Sequence, residues 1–263
     1  MNKRIRLLTW PATGQAAVGS IEGGLLARST NEELAPMASM AKIIAALAVI
    51  EQLKPGQLDQ SFTLNLQDVA SYHAYAAQGG RVLKVYEGMA LTPYQALEVI
   101  LIFSANNITD TLVARVFGSA EAYKSYARAM LQRMGLRRTV IDDANGFSTA
   151  TASTPSEIVT IGIAALKNPV IAEMVARPQT RIPEVGILKN TNELLGVDGV
   201  VGIKTGHTTP AGYCLVSAAR HATQNRQQTT TIVAVIMGGL KATEVFGDSR
   251  KLLSSAKQVF GLI

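Results

Sequence analysis

The chain has 263 residues, 48% of them hydrophobic and only 17% charged. That balance excludes a disordered chain, and the length is enough to bury a substantial core while sitting near the upper limit for one domain. The net charge of +6 suits anionic surroundings, such as a membrane surface or an anionic polymer, but with aromatics at 5% and basic residues spread along the chain no nucleic-acid partner is expected.

In chain order, Lys3, Arg4 and Arg6 form one short basic cluster that reads as a solvated terminus. No apolar signal core follows it, and the longest apolar run, 43–50, is far too short to span a bilayer. Short apolar runs at 15–21 and 24–28 around Glu22-Gly23 predict a β-hairpin. Pro36-Met37-Ala38-Ser39-Met40-Ala41-Lys42 then leads into the run 43–50. This reads as a helix buried on most faces and stopped by Lys54-Pro55-Gly56. Ser39 sits at its N-terminus, where unpaired N–H groups and the positive end of the dipole collect, and Lys42 projects from the same face one turn on. Residues 62–66 alternate like a short strand, and 71–85, with Gly79-Gly80, reads as loop. From 92 to 176 the signals are mostly helical: Thr92-Pro93 opens a helix to 103, the segments 107–117 and 121–134 end at Gly118 and Gly135, and Thr154-Pro155 opens another to about 166. Asp142 to Gly146 is turn chemistry. The last third has β-type runs at 199–204, 211–219 and 229–237, a polar turn at 221–228, and an amphipathic helix at 248–260. Strands at both ends and helices between predict an α/β chain with one sheet built from both termini, covered by helices, and a helical lobe inserted. The lobes of this single domain, 1–263, are expected at about 1–60 with 187–263, and at about 61–186.

Ser39 and Lys42 suit an activated serine. A hydroxyl is a weak nucleophile until a base takes its proton, and a lysine serves as that base only if burial, a helix N-terminus or a second cation lowers its pKa. Alone, Ser-x-x-Lys reads rather as a capping serine and a snorkelling lysine, and Ser254-x-x-Lys257 matches it too. Two more polar clusters fall at the expected lobe junction, where sites form. Ser104-Ala105-Asn106 interrupts an apolar segment and either points two polar side chains into a cleft or caps a helix. Lys204-Thr205-Gly206 ends an apolar strand. It either offers a cation and a hydroxyl beside a glycine that admits a ligand, or places a gatekeeper lysine at a sheet edge. Cys214 is the only cysteine, so no internal disulfide is possible, and it reads as a buried structural thiol. His73, His207 and His221 have no ligand spacing with one another or with Cys214, so no metal and no cofactor is expected.

In this order the three clusters resemble the penicillin-recognising serine acyl-transferases, and among them the low-molecular-mass penicillin-binding proteins of the D-alanyl-D-alanine carboxypeptidase family. Asn190-Thr191-Asn192 with Leu194-Leu195, and the segment 202–208 followed by Ala211-Gly212, match that family's style, and the resemblance runs from about 15 to 260. Ala105 stands where many relatives carry glycine. The resemblance implies a β-lactamase/transpeptidase-like fold with an antiparallel sheet. It implies an acyl-enzyme on Ser39, formed from the penultimate D-Ala of a peptidoglycan stem peptide. Lys42, kept neutral by Lys204 and burial, takes the Ser39 proton. Ser104 passes a proton to the leaving amine, and Asn106 holds Lys42 or the substrate amide. Lys204 and Thr205 bind the terminal carboxylate, beside Gly206, and the N–H groups of Ser39 and His207 hold the oxyanion. β-Lactam antibiotics are the implied covalent inhibitors. The implied location is the cell envelope, with peripheral membrane or cell-wall association and the chain as a trimmed or mature form. The competing readings are a class A-like β-lactamase, a non-catalytic penicillin-binding sensor, and an endopeptidase of the same fold. The first needs a deacylating glutamate, for which Glu157, Glu173, Glu184 and Glu193 are the candidates.

Overall fold

The structure is a computed structural model and describes residues 7–30, 32–222 and 229–260. The hairpin forms as predicted: β1 (Gln15–Ser20) pairs with β2 (Gly24–Arg28), with a bulge between Val18 and Gly19. After the short strand β3 (Ala35–Pro36), a 3-10 turn at Ala38–Met40 carries Ser39 into α1 (Ala41–Gln52). Ser39 makes no capping hydrogen bond, so the α-helix proper begins beyond it. Alanines and branched residues let α1 pack closely against α4, α5 and α6, whose ranges follow.

The alternation predicted over 62–66 gives only β4 (Phe62–Thr63), because Asn65 starts a helix. Its side chain accepts from the Gln67 and Asp68 N–H groups, and the Asp68 carboxylate accepts from Asn65 N. This capping box opens α2 (Leu66–Ala77), so the loop predicted over 71–85 is helical through Ala77. Asp68 is the one buried residue of α2, and only Val69 and Tyr72, half-buried, pack against the core, so its apolar stripe is thinner than that of the others. β5 (Ala90–Leu91) pairs with β4. α3 (Pro93–Glu98), capped by Thr92, widens into a π-helical turn at Val99–Phe103. α4 (Asn106–Phe117), α5 (Ala120–Arg133), β6 (Ala152–Ser153), α6 (Pro155–Lys167) and α7 (Pro169–Val175) follow. The hairpin of β7 (Gln179–Ile182) and β8 (Gly186–Lys189) lies outside the predicted elements.

The chain closes with β9 (Val200–Thr208), β10 (Gly212–Ala222), β11 (Thr229–Gly239) and α8 (Ala242–Val259). Strand β9 runs past the predicted 204, and α8 starts before the predicted 248. His221 and Ala222 extend β10, while the rest of the turn predicted there, 223–228, lies outside the described residues. The five-stranded antiparallel sheet has the order β2-β1-β11-β10-β9, so it is built from both ends of the chain. Alternating residues serve two cores. Ala17, Val216, Val233 and Val235 face the core shared with α1 and α6, while Ala16, Leu215, Ile232 and Ala234 face the one under α8. Helix α6 packs on this sheet although it falls within 61–186. Strand β9, at the sheet's edge, lies along the Ser39 turn, which sets the place of the site. No single helix among the described residues is long and apolar enough to cross a membrane.

Candidate active site

Two glycines let the backbone close around Ser39. A Cβ on Gly206 of β9 would lie 3.0 Å from Ser39 N and 3.1 Å from the Ala38 Cβ. One on Gly146, which has φ +75°, would lie 1.8 Å from the Ala38 carbonyl oxygen. Ala38 itself has φ 49°, an uncommon conformation for a residue with a side chain, held by packing from both sides.

Lys42 is fully buried, and its Nζ has three neighbours: Ser39 Oγ at 2.8 Å, Asn106 Oδ1 at 2.7 Å and the Asn145 carbonyl oxygen at 2.7 Å. As an ammonium it donates to all three. As a neutral amine it keeps two N–H bonds, and the two carbonyl oxygens can only accept them, so its lone pair falls toward the Ser39 hydroxyl. Burial lowers its pKa to about 7, against the opposing pull of Asp143 and Asp110, with Arg81 lowering it further. Arg81 is a second cation beside the Lys204 of the sequence reading, whose repulsion with Lys42 is mutual and appears on the Lys204 side.

Ser104 ends the π-helical turn in the left-handed region, φ 70°, and lines the cavity described below. Ser104 caps that turn at its C-terminal end through its backbone, N donating to Val99 O at 2.9 Å, while the N-cap of α4 is Ala105, which makes no side-chain cap. Asn106 N donates to Arg81 O at 2.8 Å while its Oδ1 accepts from Lys42. Asn107 makes a paired contact with the Leu83 backbone, at 3.0 Å and 2.9 Å, which fastens the segment after α2 to α4.

On β9, Lys204 is buried and its Nζ donates to the Thr205 carbonyl at 3.1 Å. Burial first, then the Lys42 and Arg81 cations, hold its pKa well below 10.5. Among the described residues no carboxylate forms an ion pair with it. Thr205 Oγ1 shares a 2.6 Å hydrogen bond with Thr191 Oγ1, and the His207 ring stacks on Tyr213 with centroids 4.0 Å apart. A cavity of about 640 Å³ has Ser39, Ser104, Asn106, Thr205, Gly206 and His207 in its wall, together with Arg81 and Thr191. Sequence reading misses Asn145, Arg81 and Thr191 as members of the site. Asn145 acts through its backbone carbonyl, which every residue carries. Arg81 falls in the segment read as loop, and Thr191 is noted only as part of a motif. Of the four candidate glutamates, Glu157 accepts from the N–H groups of Arg137, Arg138 and Thr139, Glu173 pairs with Arg177, and Glu184 bonds Tyr86. Glu193 alone lines the cavity.

The state of Lys204 has a stability consequence. Its folded pKa lies below its unfolded value, so the unfolded chain binds more protons between the two, and stability rises with pH across that window. Lys204→Met, which keeps the length without the charge, should melt at higher temperature than the wild type in mild acid. The difference should shrink as pH rises toward the ordinary lysine value of 10.5. Thermal melts over that range check this, and a difference independent of pH would remove Lys204 as the titrating group.

A model of the family described as D-alanyl-D-alanine carboxypeptidase matches residues 12–240. The chain is 27% identical over 235 residues to the D-alanyl-D-alanine carboxypeptidase DacF of Bacillus subtilis, covering 87% of this chain and 57% of that protein. It thus spans little more than half the length of that relative. The solved Streptomyces K15 DD-transpeptidase is similar with a TM-score of 0.83 at 21% identity, over 95% of this chain and 100% of that one. Penicillin-binding protein D2 of Listeria monocytogenes, in its cefotaxime-bound form, is similar with a TM-score of 0.77 at 23% identity, over 94% and 97%. At these identities the structural likeness establishes a shared fold.

Proposed function

The chain belongs to the D-alanyl-D-alanine carboxypeptidase family, and from that premise we propose that it is a serine D,D-carboxypeptidase that trims the terminal D-Ala from peptidoglycan stem peptides in the cell envelope. The observation that carries this reading is the Lys42 amine, buried, its pKa lowered to about 7, and 2.8 Å from Ser39 Oγ. The Ser39 oxygen attacks the carbonyl carbon of the penultimate D-Ala while its proton passes to Lys42. The oxyanion is held by the backbone N–H groups of Ser39 and His207, each such donor contributing roughly 2.7–4 kcal/mol to the transition state. Lys42, now an ammonium, returns a proton through Ser104 to the departing D-Ala nitrogen, the C–N bond breaks, and the ester on Ser39 remains. Water then attacks the ester, its proton goes to Lys42, and Ser39 is released with its hydrogen restored. Asn106 keeps Lys42 in place throughout. Lys204 and Thr205 bind the terminal carboxylate, with Thr191 fixing the Thr205 hydroxyl. The net charge of +6 favours an anionic polymer as the surrounding matrix.

A β-lactam occupies the same place. Its strained amide acylates Ser39, but the leaving nitrogen stays tethered and obstructs water. The enzyme should therefore gain one penicilloyl group and keep it for minutes or longer. Intact mass after incubation with penicillin, followed over time, reads both points. Release of D-Ala from a peptide ending in D-Ala-D-Ala reads the natural reaction. Rapid multiple turnover of penicillin would favour the β-lactamase reading and make Glu193 its deacylating base, and absence of any adduct would sink the acyl-enzyme altogether.

A further inference from the structure

Lys42 rests on two carbonyl oxygens, and both are held by one face of α4. Asn106 supplies the first directly. One turn later on the same face, Asp110 reaches the residue that supplies the second. Asp110 Oδ1 accepts from Asn145 Nδ2 at 2.8 Å, and Asp110 Oδ2 accepts from the Tyr75 hydroxyl of α2 at 2.6 Å. Asn145 Nδ2 also donates to the Tyr75 oxygen at 2.7 Å, and Asn145 Oδ1 accepts from Phe147 N at 2.9 Å. Every polar atom of the Asn145 side chain is thus engaged, in a residue with no exposed surface. Its backbone carbonyl can hardly turn away from Lys42.

We infer that Tyr75, Asp110 and Asn145 form a buried positioning unit that aims the Lys42 amine at Ser39. The inference rests on the acyl-enzyme reading above. A carboxylate suits position 110 because both neighbours offer it a hydrogen, and a carboxylate only accepts. An asparagine there would set a donor against a donor on one side. The unit acts by charge as well as by geometry. Burial lowers the pKa of Lys42 most, Asp143 and then Asp110 raise it, and Arg81 lowers it. Lys204 on β9 titrates under the influence of Lys42, and the phenols of Tyr75 and Tyr123 are pushed up by burial and by the two aspartates, so they stay neutral. Asp143 is occupied by the loop, accepting from Gly146 N, Ser148 N and the Thr151 hydroxyl. Asp110 is the carboxylate with a line to the Lys42 acceptor.

The test is the rate of Ser39 acylation by penicillin from about pH 5 to about pH 10, in the wild type, Asp110→Asn and Tyr75→Phe. The wild-type rate should rise through a midpoint near the lowered Lys42 value of about 7. Asp110→Asn removes an anion that favours the ammonium, so its midpoint should move to lower pH by about half a unit or more, with a lower plateau. Tyr75→Phe keeps the anion and loosens Asn145, so its midpoint should stay while the plateau falls severalfold. A wild-type midpoint in Asp110→Asn, or a wild-type plateau in Tyr75→Phe, would overturn the unit. If Asp110→Asn does not fold, the Tyr75→Phe plateau decides alone. No adduct in the wild type at any pH would instead overturn the carboxypeptidase reading, so the two failures are distinguishable.

Discussion

Ser39→Ala should carry no penicillin adduct and release no D-Ala, while Ser254→Ala should behave as the wild type. Both serines stand three residues before a lysine, so spacing does not separate them. The order of the polar clusters does, since Ser254 follows the last of them, and so do their surroundings. Ser39 lies on a turn packed between Gly206 and Gly146, opens onto the cavity and meets Lys42 Nζ at 2.8 Å. Ser254 is exposed on the interior of α8 and absent from the cavity wall. In that helix interior the N–H groups are already bonded, so neither a dipole end nor unpaired donors are on hand for an oxyanion. Removing the nucleophile removes the covalent route itself, and losses on the order of 10⁶-fold are the scale for such a change. Intact mass gives the adduct count and peptide mapping its position. A penicilloyl group on the peptide containing Ser254 would defeat the assignment.

Lys204→Ala should slow the release of D-Ala from about thirtyfold to more than a thousandfold, and should matter much less for a C-terminally amidated peptide. Lys204 is buried with, among the described residues, a single hydrogen bond, to a neighbouring carbonyl, and burial and two cations suppress its charge. A substrate carboxylate brought to it supplies the missing anion, restores the ammonium and adds a charge-assisted hydrogen bond. Truncating one partner of such a buried pair costs roughly 2–5 kcal/mol, and each 1.36 kcal/mol is a tenfold factor in rate. The amide carries no charge, so the wild type should already process it slowly and lose little more in the variant. Kinetics on the acid and the amide with both enzymes form a four-point cycle. Equal rates for acid and amide in the wild type would show that Lys204 does not read a terminal carboxylate, and would favour the endopeptidase reading.

Much of this molecule is legible in its residues because the relevant forces are local. Short apolar, β-type runs mark β1, β10 and β11, Thr92-Pro93 and Thr154-Pro155 open helices, and Gly118 closes one. The helix α2 is missed although its capping box stands at Asn65 and Asp68, because an apolar face of two half-buried residues, Val69 and Tyr72, is too thin to read. The order of the three polar clusters is likewise visible in one dimension, and so is the family it resembles.

What the sequence by itself determined is the sheet drawn from both termini, the residue types of the site and their order along the chain. Only the tertiary structure set the Lys42 amine 2.8 Å from Ser39 Oγ, brought Arg81 in as a cation near it, and turned the Asn145 carbonyl toward it. The physical reason is that side-chain identity is local, whereas a proton's affinity and a lone pair's direction depend on burial and on groups brought from afar. The two oxygens that orient Lys42 come from residues 64 and 103 positions away.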